Sequence, residues 1–206
     1  RYLTRIHKYM EDEDWINAKR ELEVTARRYF KNEDSYERAL INQLYGQFYA
    51  LQRDYKNAIP WFEKAIAKGR LPFAADLQVS YSLAQCYFQT GRYKDVIATL
   101  ENYRDKASKR GQNMAPIQLM LLGIAYYQEQ DTLNAYLNIA EANATATKLN
   151  EEWLQYEFAL AVKLEKYDDA VRGFVKRQRV RLGAFAPTCL VYRNRGAPKI
   201  ECRAII

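Results

Sequence analysis

Residues 44–62 read LYGQFYALQRDYKNAIPWF, and this stretch decides how the chain folds. Gly46 precedes Tyr49 by three residues, so both lie on one face of a predicted helix, because three residues make nearly one turn. Ala58 and Phe62 are placed in the same way on a second helix, one turn apart. The polar Gln-Arg-Asp between the two helices predicts a short turn. Because small side chains let two helix axes cross at about 8–10 Å, the stretch predicts a packed helical hairpin.

The same pattern recurs along most of the chain. The small residue of the second helix returns at intervals of 40, 38, 39 and 35 residues, starting from Ala18. A single hairpin has too little apolar surface to be stable alone, so we expect neighbouring hairpins to bury each other's faces. The residues predicted to pack at these contacts are Gly46, Ala58, Ala84, Val96, Gly123, Ala135 and Ala170.

This two-part pattern resembles the tetratricopeptide repeat, whose signature joins W-x2-L-G-x2-Y to A-x3-F and a later Pro. Residues 45–62 match it best, although Asn42 stands at the early Trp position and Pro72 lies two residues late. The resemblance implies an all-α superhelix of about five repeats, with the first helix of each on the concave side. We expect one repeat domain over residues 1–177, with hairpins at about 2–30, 34–69, 73–110, 114–148 and 150–177.

The composition argues against catalysis and against insertion into a membrane. The 206-residue chain contains one His and three Cys, which excludes most His-based metal sites and His-dependent triads. It contains no glycine-rich phosphate loop, no paired-carboxylate motif and no run of 18 apolar residues. We therefore expect a protein that is not an enzyme, needs no cofactor and has no transmembrane segment in this stretch.

Three candidate features have simpler structural interpretations. His7 has no second ligand at a suitable spacing, so we expect it at the surface or in packing rather than on a metal. The acidic run Glu11-Asp12-Glu13-Asp14 lies at the first predicted turn, where carboxylates cap the following helix. Cys86 lies on an apolar helix face and is expected to be a small core residue.

The positive charge of the chain is concentrated at its C-terminus. Residues 172–206 contain nine Lys or Arg and one Glu, whereas the other 171 residues have a net charge of −1. We expect residues 178–206 to be a basic tail outside the repeats. Three alternatives stay open for it: a disordered extension, the start of a second domain, or sequence from an altered reading frame. Locally, Cys189 and Cys202 lie on segments that favour a short hairpin, in which the two could meet.

The candidate binding surface is a groove formed by first-helix residues that point away from the small-residue contacts. Its predicted lining is amide, aromatic and aliphatic with almost no charge, which suits an extended or helical peptide. The lysines and arginines with which tetratricopeptide co-chaperones hold an acidic C-terminus are missing, and we expect no nucleic acid as partner. The groove residues are Gln43, Gln47, Gln78, Tyr81, Gln85, Phe88, Met120, Ile124, Tyr127 and Gln155, with Ala50 and Ile117 in the same set.

Four stretches carry a second resemblance: YKNAI (55–59), AQCY (84–87), GIAYY (123–127) and NEEWLQ (150–155). With them, residues 1 to about 171 resemble a proteobacterial tetratricopeptide protein that is encoded beside ExbB, ExbD and TonB. The resemblance implies a periplasmic, non-catalytic scaffold that assists energised uptake across the outer membrane, with TonB-complex components as partners. The start at Arg1 instead of Met fits a removed signal or anchor segment, or a trimmed sequence.

Other functions are compatible with the same residues. The repeats could form a cytoplasmic tetratricopeptide adaptor or a peptide-sensing regulator. They could also form the targeting arm of an enzyme whose catalytic part lies outside this chain. Because the end faces of a repeat stack are exposed, a homodimer through the first or last hairpin is a further expectation.

Overall fold

A computed structural model describes residues 2–29, 34–148, 150–166, 169, 172, 188–194 and 197–203. The chain divides into two compact units, Arg1–Asn113 and Met114–Ile206. Ala170 and residues 178–187 lie outside the described residues. In the described part, nine helices precede two strands: α1 (Tyr2–Glu11), α2 (Trp15–Tyr29), α3 (Tyr36–Leu51), α4 (Tyr55–Ile66), α5 (Phe73–Gln89), α6 (Tyr93–Ser108), α7 (Pro116–Gln128), α8 (Thr132–Thr145), α9 (Glu151–Lys163), β1 (Thr188–Asn194) and β2 (Ala197–Arg203).

The first unit contains three helical hairpins, and each helix from α1 to α5 packs against the next one in sequence. The apolar residues that recur with the repeat form its core. Leu22, Phe62 and Leu100, each four residues after the small residue of a second helix, are at most 1% exposed. This spacing puts the small residue and the larger one on the same buried face, one turn apart.

Close helix crossings explain the glycines of the first helices. A Cβ atom at Gly46 would stand 2.5, 2.6 and 2.8 Å from three ring atoms of Phe62 on α4. A Cβ atom at Gly123 would stand 2.6 Å from Cγ1 of Ile139 and 3.2 Å from the Ala135 carbonyl oxygen on α8. The third hairpin has Ala84 at this position, fully buried on α5. The second-helix residues of these contacts, Ala58, Val96 and Ala135, are also fully buried.

The turns inside the hairpins use a recurring cap. At the start of α4, Asp54 accepts a hydrogen bond of 3.3 Å from the backbone N–H of Asn57 and one of 2.7 Å from its side-chain amide. This cap satisfies a backbone donor that the first helical turn leaves without an intrahelical partner. The same arrangement joins Asp14 to Asn17 and Asp131 to Asn134. Asp14, the last residue of the acidic run, therefore caps α2.

The second unit contains the α7–α8 hairpin, and α9 packs against α8. A buried polar pair lies between α8 and α9, where the Asn143 amide donates to Glu157 over 2.8 Å. The strands β1 and β2 pair antiparallel, with Cys189 opposite Cys202 in the register. They lie in the C-terminal segment in which the sequence analysis considered a short hairpin. None of the described helices combines the length and the apolar character needed to cross a bilayer.

Candidate functional site

A cleft of about 690 Å³ in the first unit is lined mainly by α1, α3 and α5. These are the first helices of three successive hairpins, which the repeat pattern predicted to share one face. The volume lies within the range of about 300–1,000 Å³ that is usual for ligand clefts. The cleft is therefore the best candidate for a binding site in this unit.

Equivalent positions of the three hairpins form one wall of the cleft. Gln47 and Gln85 each follow the small residue of their helix by one position, and both line the cleft. His7 of α1 is their counterpart and lines it as well. Its neighbour Ile6 is fully buried and lies 12 residues before Ala18, as Gly46 lies 12 residues before Ala58. The sequence reasoning missed His7 because it did not extend this offset to the first hairpin.

A second row of lining residues lies one turn further along the same helices. Glu11, Leu51 and Gln89 each follow the first row by four residues, and all three are exposed at the cleft. Residues four apart on a helix are neighbours on one face, so the two rows run across the three helices in parallel. Glu13, in the turn after α1, adds a second carboxylate to the lining. The prediction of an almost uncharged lining was wrong at this edge, because the charges come from the first hairpin.

The buried side of the cleft is apolar. Met10, Phe62 and Cys86 line it and are 4%, 1% and 2% exposed, respectively. Trp15 stands at its margin, with its ring edge-on to that of Phe48 at 6.0 Å between centroids. Burial raises the pKa of the Cys86 thiol to about 11. The thiol is therefore neutral at physiological pH and contributes packing rather than nucleophilic chemistry.

Two predicted groove residues of α5 interact mainly within their own hairpin. Tyr81 is half-buried, and burial raises the pKa of its phenol, with a smaller contribution from nearby Tyr103 of α6. A hydrogen bond with the Gln85 side chain acts on that pKa in the opposite direction. The ring of Phe88 packs edge-on against that of Tyr93, with 5.6 Å between centroids. Phe88 therefore contributes to the contact between α5 and α6.

Two other predicted groove residues are buried instead. Gln43 is 9% exposed and Met120 is 3% exposed. Each lies three residues before the glycine of its helix, and residues three apart share a helix face. They therefore belong to the packed face with Gly46 and Gly123 and do not line a groove. The prediction for these two residues is corrected accordingly.

The remaining predicted groove residues lie on exposed or half-exposed helix faces. Gln78 is exposed on α5, outside the cleft lining. In the second unit Ile124 is half-buried, and Gln155 is exposed on α9. Tyr127 is 45% exposed, and the Lys163 ammonium nitrogen lies 5.7 Å from its ring centroid. The face that contains Tyr127 thus includes a cation, which the sequence reasoning did not predict.

The described residues offer no metal-binding constellation. No group of three or more His, Cys, Asp or Glu among them is arranged to hold an ion. The carboxylate of Asp14 is occupied by its cap, and the side-chain hydrogen bond from Asn17 lowers its pKa. What the cleft offers a ligand is amide hydrogen bonding, apolar contact and two carboxylates.

Comparisons with known proteins agree with this architecture. A family model described as anaphase-promoting complex, cyclosome, subunit 3 matches residues 51–113, the stretch that contains α4, α5 and α6. A comparison with curated protein sequences found no match. Many solved structures match the fold. The helices form an all-α fold of the tetratricopeptide type.

Three of these structures illustrate the similarity. MamA 41-end from Desulfovibrio magneticus RS-1 has a TM-score of 0.67 at 19% identity, covering 89% of this chain and 94% of its own. The pilF protein of Pseudomonas aeruginosa has a TM-score of 0.64 at 17% identity, with coverages of 89% and 76%. A tetratricopeptide repeat protein from Parabacteroides merdae has a TM-score of 0.66 at 13% identity, with coverages of 89% and 67%. Identities this low establish the fold alone.

Proposed function

We propose that this chain is a non-catalytic protein-interaction module that binds a peptide segment of its partner in the cleft of the first unit. The observation that carries the proposal is the row formed by His7, Gln47 and Gln85, in which equivalent positions of three successive hairpins present polar side chains to one cleft. Such a row matches a ligand that is itself periodic and extended, as a peptide backbone is.

The chemistry of the lining supports a peptide over a small metabolite. The amides of Gln47 and Gln85 can donate to carbonyl groups and accept from N–H groups, both of which a peptide backbone offers at every residue. The apolar residues behind them, such as Met10, can receive side chains of the ligand. Packed helices hold these groups in place before binding, which lowers the ordering cost of association.

A pair of arginine variants tests the cleft as the site. Peptides are first selected from a randomised library on the wild-type chain, and their affinities are measured by fluorescence anisotropy. We expect Gln47→Arg combined with Gln85→Arg to weaken the selected peptides about tenfold or more, because two bulky cations then fill the amide row. Gln78→Arg is the matched control, since Gln78 is exposed on the same helix as Gln85 but outside the cleft lining.

The outcome of this test is unambiguous as long as the variants stay folded, which circular dichroism verifies. Equal affinities for the double variant and the wild type would overturn the proposal. Loss of binding in Gln78→Arg alone would place the site elsewhere on α5. Either result would leave the fold assignment untouched.

We further propose that the partner is a component of a TonB-type outer-membrane transport system, which would place the chain in the periplasm. The support is the resemblance of residues 1 to about 171, including NEEWLQ at the start of α9. In this function the module would act as an accessory scaffold of the transport complex. A cytoplasmic adaptor or peptide-sensing regulator is the competing function.

Direct titration separates these functions. Soluble fragments of the TonB complex are titrated against the chain, and the Gln47→Arg, Gln85→Arg double variant serves as the cleft-blocked control. We expect saturable binding that the double variant lacks. If none of the fragments binds, while peptides from cytoplasmic proteins bind in the cleft, the adaptor function replaces the transport function.

A further inference from the structure

We infer that the cleft of the first unit selects peptides that carry a Lys or Arg side chain. The inference rests on the proposed function and specifies the chemistry of the ligand. Its basis is the pair of carboxylates, Glu11 and Glu13, at one edge of a cleft whose other polar lining is amide, hydroxyl and imidazole.

The sign of the charge at the cleft is one-sided. Of the described residues that line it, none is Lys or Arg, whereas two are Glu. Across the described chain, the ion pairs join other residues, and no cation is paired with Glu11 or Glu13. Both carboxylates are exposed, so a ligand can reach them. A cationic side chain on the ligand would pair with carboxylates that form no ion pair among the described residues.

The position of the carboxylates distinguishes them from the other acids of the same turn. The side chain of Asp14 is committed to its cap on Asn17. Asp12 is exposed but does not line the cleft. Glu11, by contrast, continues the helix face of His7, four residues earlier, and so lies in line with the amide row. A peptide held by the amides of Gln47 and Gln85 would therefore bring its next side chains to the acidic edge.

The same charges disfavour other ligands. An acidic peptide or a free C-terminal carboxylate would meet Glu11 and Glu13, and the described lining holds no Lys or Arg to offset the repulsion. Exposed charges of this kind act mainly on selectivity, on association rate and on salt dependence. The cleft should therefore discriminate between peptides by charge and bind them through the amides and the apolar side chains behind.

The test is a comparison of peptide selections. A randomised decapeptide library is selected separately on the wild-type chain, on Glu11→Gln with Glu13→Gln, and on Asp12→Asn as the control from the same turn. We expect Lys and Arg to be enriched in the peptides selected by the wild type and by Asp12→Asn. The enrichment should disappear in the double variant, which keeps side chains of nearly the same size.

Affinity measurements on individual selected peptides complete the test. The double Gln variant should bind the basic peptides roughly three- to tenfold more weakly than the wild type. Raising the salt concentration from about 0.1 M to about 1 M should weaken wild-type binding more than binding to the double variant, because salt screens exposed charges. Asp12→Asn should behave as the wild type in both measurements.

The possible failures point to different conclusions. If selected peptides lose binding to the Gln47→Arg, Gln85→Arg variant but show no preference for Lys or Arg, the inference is wrong and the proposed function stands. Enrichment of Asp or Glu, or an unchanged preference in the double Gln variant, would also overturn the inference. If none of these cleft variants changes the affinity for the selected peptides, the proposed function is wrong and the inference is wrong as well.

Discussion

The hairpin α3–α4 of the first unit and the hairpin α7–α8 of the second are built on the same interior. Each places a glycine of its first helix against a large apolar side chain of its second helix, Phe62 in one and Ile139 in the other. In each hairpin an Asp caps the second helix by accepting a hydrogen bond from the backbone N–H of the Asn three residues later. These caps are Asp54 and Asp131. Their outward faces differ at the position that follows the glycine. Gln47 of α3 lines a cleft, whereas the equivalent position of α7 is Ile124.

The difference separates what maintains the fold from what is available for function. Interior positions are restricted because a Cβ atom added at Gly46 or Gly123 would lie less than 3 Å from a side chain of the facing helix. Face positions such as Gln47 and Ile124 lie outside these close crossings, and their chemistry is free to vary. The two hairpins thus share their packing positions and differ in the residue that follows each glycine.

The largest expected effect comes from removing the side chain that faces the glycine. Phe62→Ala should lower the free energy of unfolding by about 3–5 kcal/mol, and Ile139→Ala by about 2–5 kcal/mol, because both leave cavities in closely packed cores. Urea unfolding measures the totals, and hydrogen exchange locates the loss in the helices of the substituted unit. A loss below about 1 kcal/mol at either site would show that the two interiors are not equivalent.

The glycines themselves should tolerate alanine poorly. Gly46→Ala should gain about 1 kcal/mol of helix propensity but lose about 1–3 kcal/mol through overpacking, and the loss should prevail. Gly123→Ala should cost less, because the new Cβ would lie less than 3 Å from one atom, Cγ1 of Ile139, whereas at Gly46 it would lie that close to three ring atoms of Phe62. Chemical denaturation measures both.

A compensating variant tests the same contact in the opposite direction. The third hairpin combines Ala84 with Leu100, which is fully buried four residues after Val96. Gly46→Ala combined with Phe62→Leu reproduces that combination in the second hairpin. The double variant should be more stable than Gly46→Ala alone, and a simple sum of two losses would contradict the proposed fit.

The caps should have a smaller and nearly equal effect in the two hairpins. Asp54→Ala and Asp131→Ala each remove the carboxylate that accepts a hydrogen bond from the Asn three residues later. The distance from the carboxylate oxygen to the Asn backbone nitrogen is 3.3 Å at Asp54 and 3.1 Å at Asp131. The expected loss is about 1 kcal/mol in each case, measured by thermal or urea unfolding. Asp54→Asn and Asp131→Asn keep an acceptor and should restore most of the stability. Unequal losses of more than about 1 kcal/mol would indicate that one cap has a further role.

The sequence predicted the repeated interior well because period and side-chain size are local properties. The spacing of Ala58, Val96 and Ala135 alone placed three fully buried contacts. It predicted the groove faces less well. The residue three positions before a glycine still lies on the packed face of the helix, as the burial of Gln43 shows. His7 and Glu11 were missed for a different reason. The first hairpin lacks a glycine at the crossing, and Ile6 gave no small-residue signal there.

The second unit also has an acid-sensitive contact that joins α8 to Asp169. The Tyr136 hydroxyl donates a hydrogen bond of 2.9 Å to the Asp169 carboxylate. Arg172 forms an ion pair with the same carboxylate. The hydrogen bond from Tyr136 lowers the pKa of Asp169 below its usual value of 3.8. A carboxylate whose pKa is lowered by folding stabilises the protein above the unfolded pKa, and this contribution is lost as the pH falls through the folded value.

Removing the Tyr136 hydroxyl should therefore make the free energy of unfolding depend less on pH in the acidic range. Tyr136→Phe should reduce the free energy of unfolding at pH 7 by less than a helix cap contributes, because Asp169 is only partly buried. The difference between variant and wild type should shrink below about pH 4. Urea unfolding across this range measures it. A difference that stays constant with pH would show that the hydroxyl acts through packing alone.

Exchanging the face residues of the two hairpins should have the smallest effect on stability but a clear effect on peptide binding. Gln47→Ile gives the α3–α4 hairpin the face residue of α7–α8, and the position is only half-buried. Stability should change by no more than about 0.5 kcal/mol, because no interior contact is altered. Peptides selected on the wild type should nevertheless bind several-fold more weakly, since Ile offers neither a donor nor an acceptor to their backbone. The reverse exchange, Ile124→Gln, should leave their binding unchanged. If instead the two exchanges altered stability strongly and binding weakly, the division between a fixed interior and a variable face would not hold.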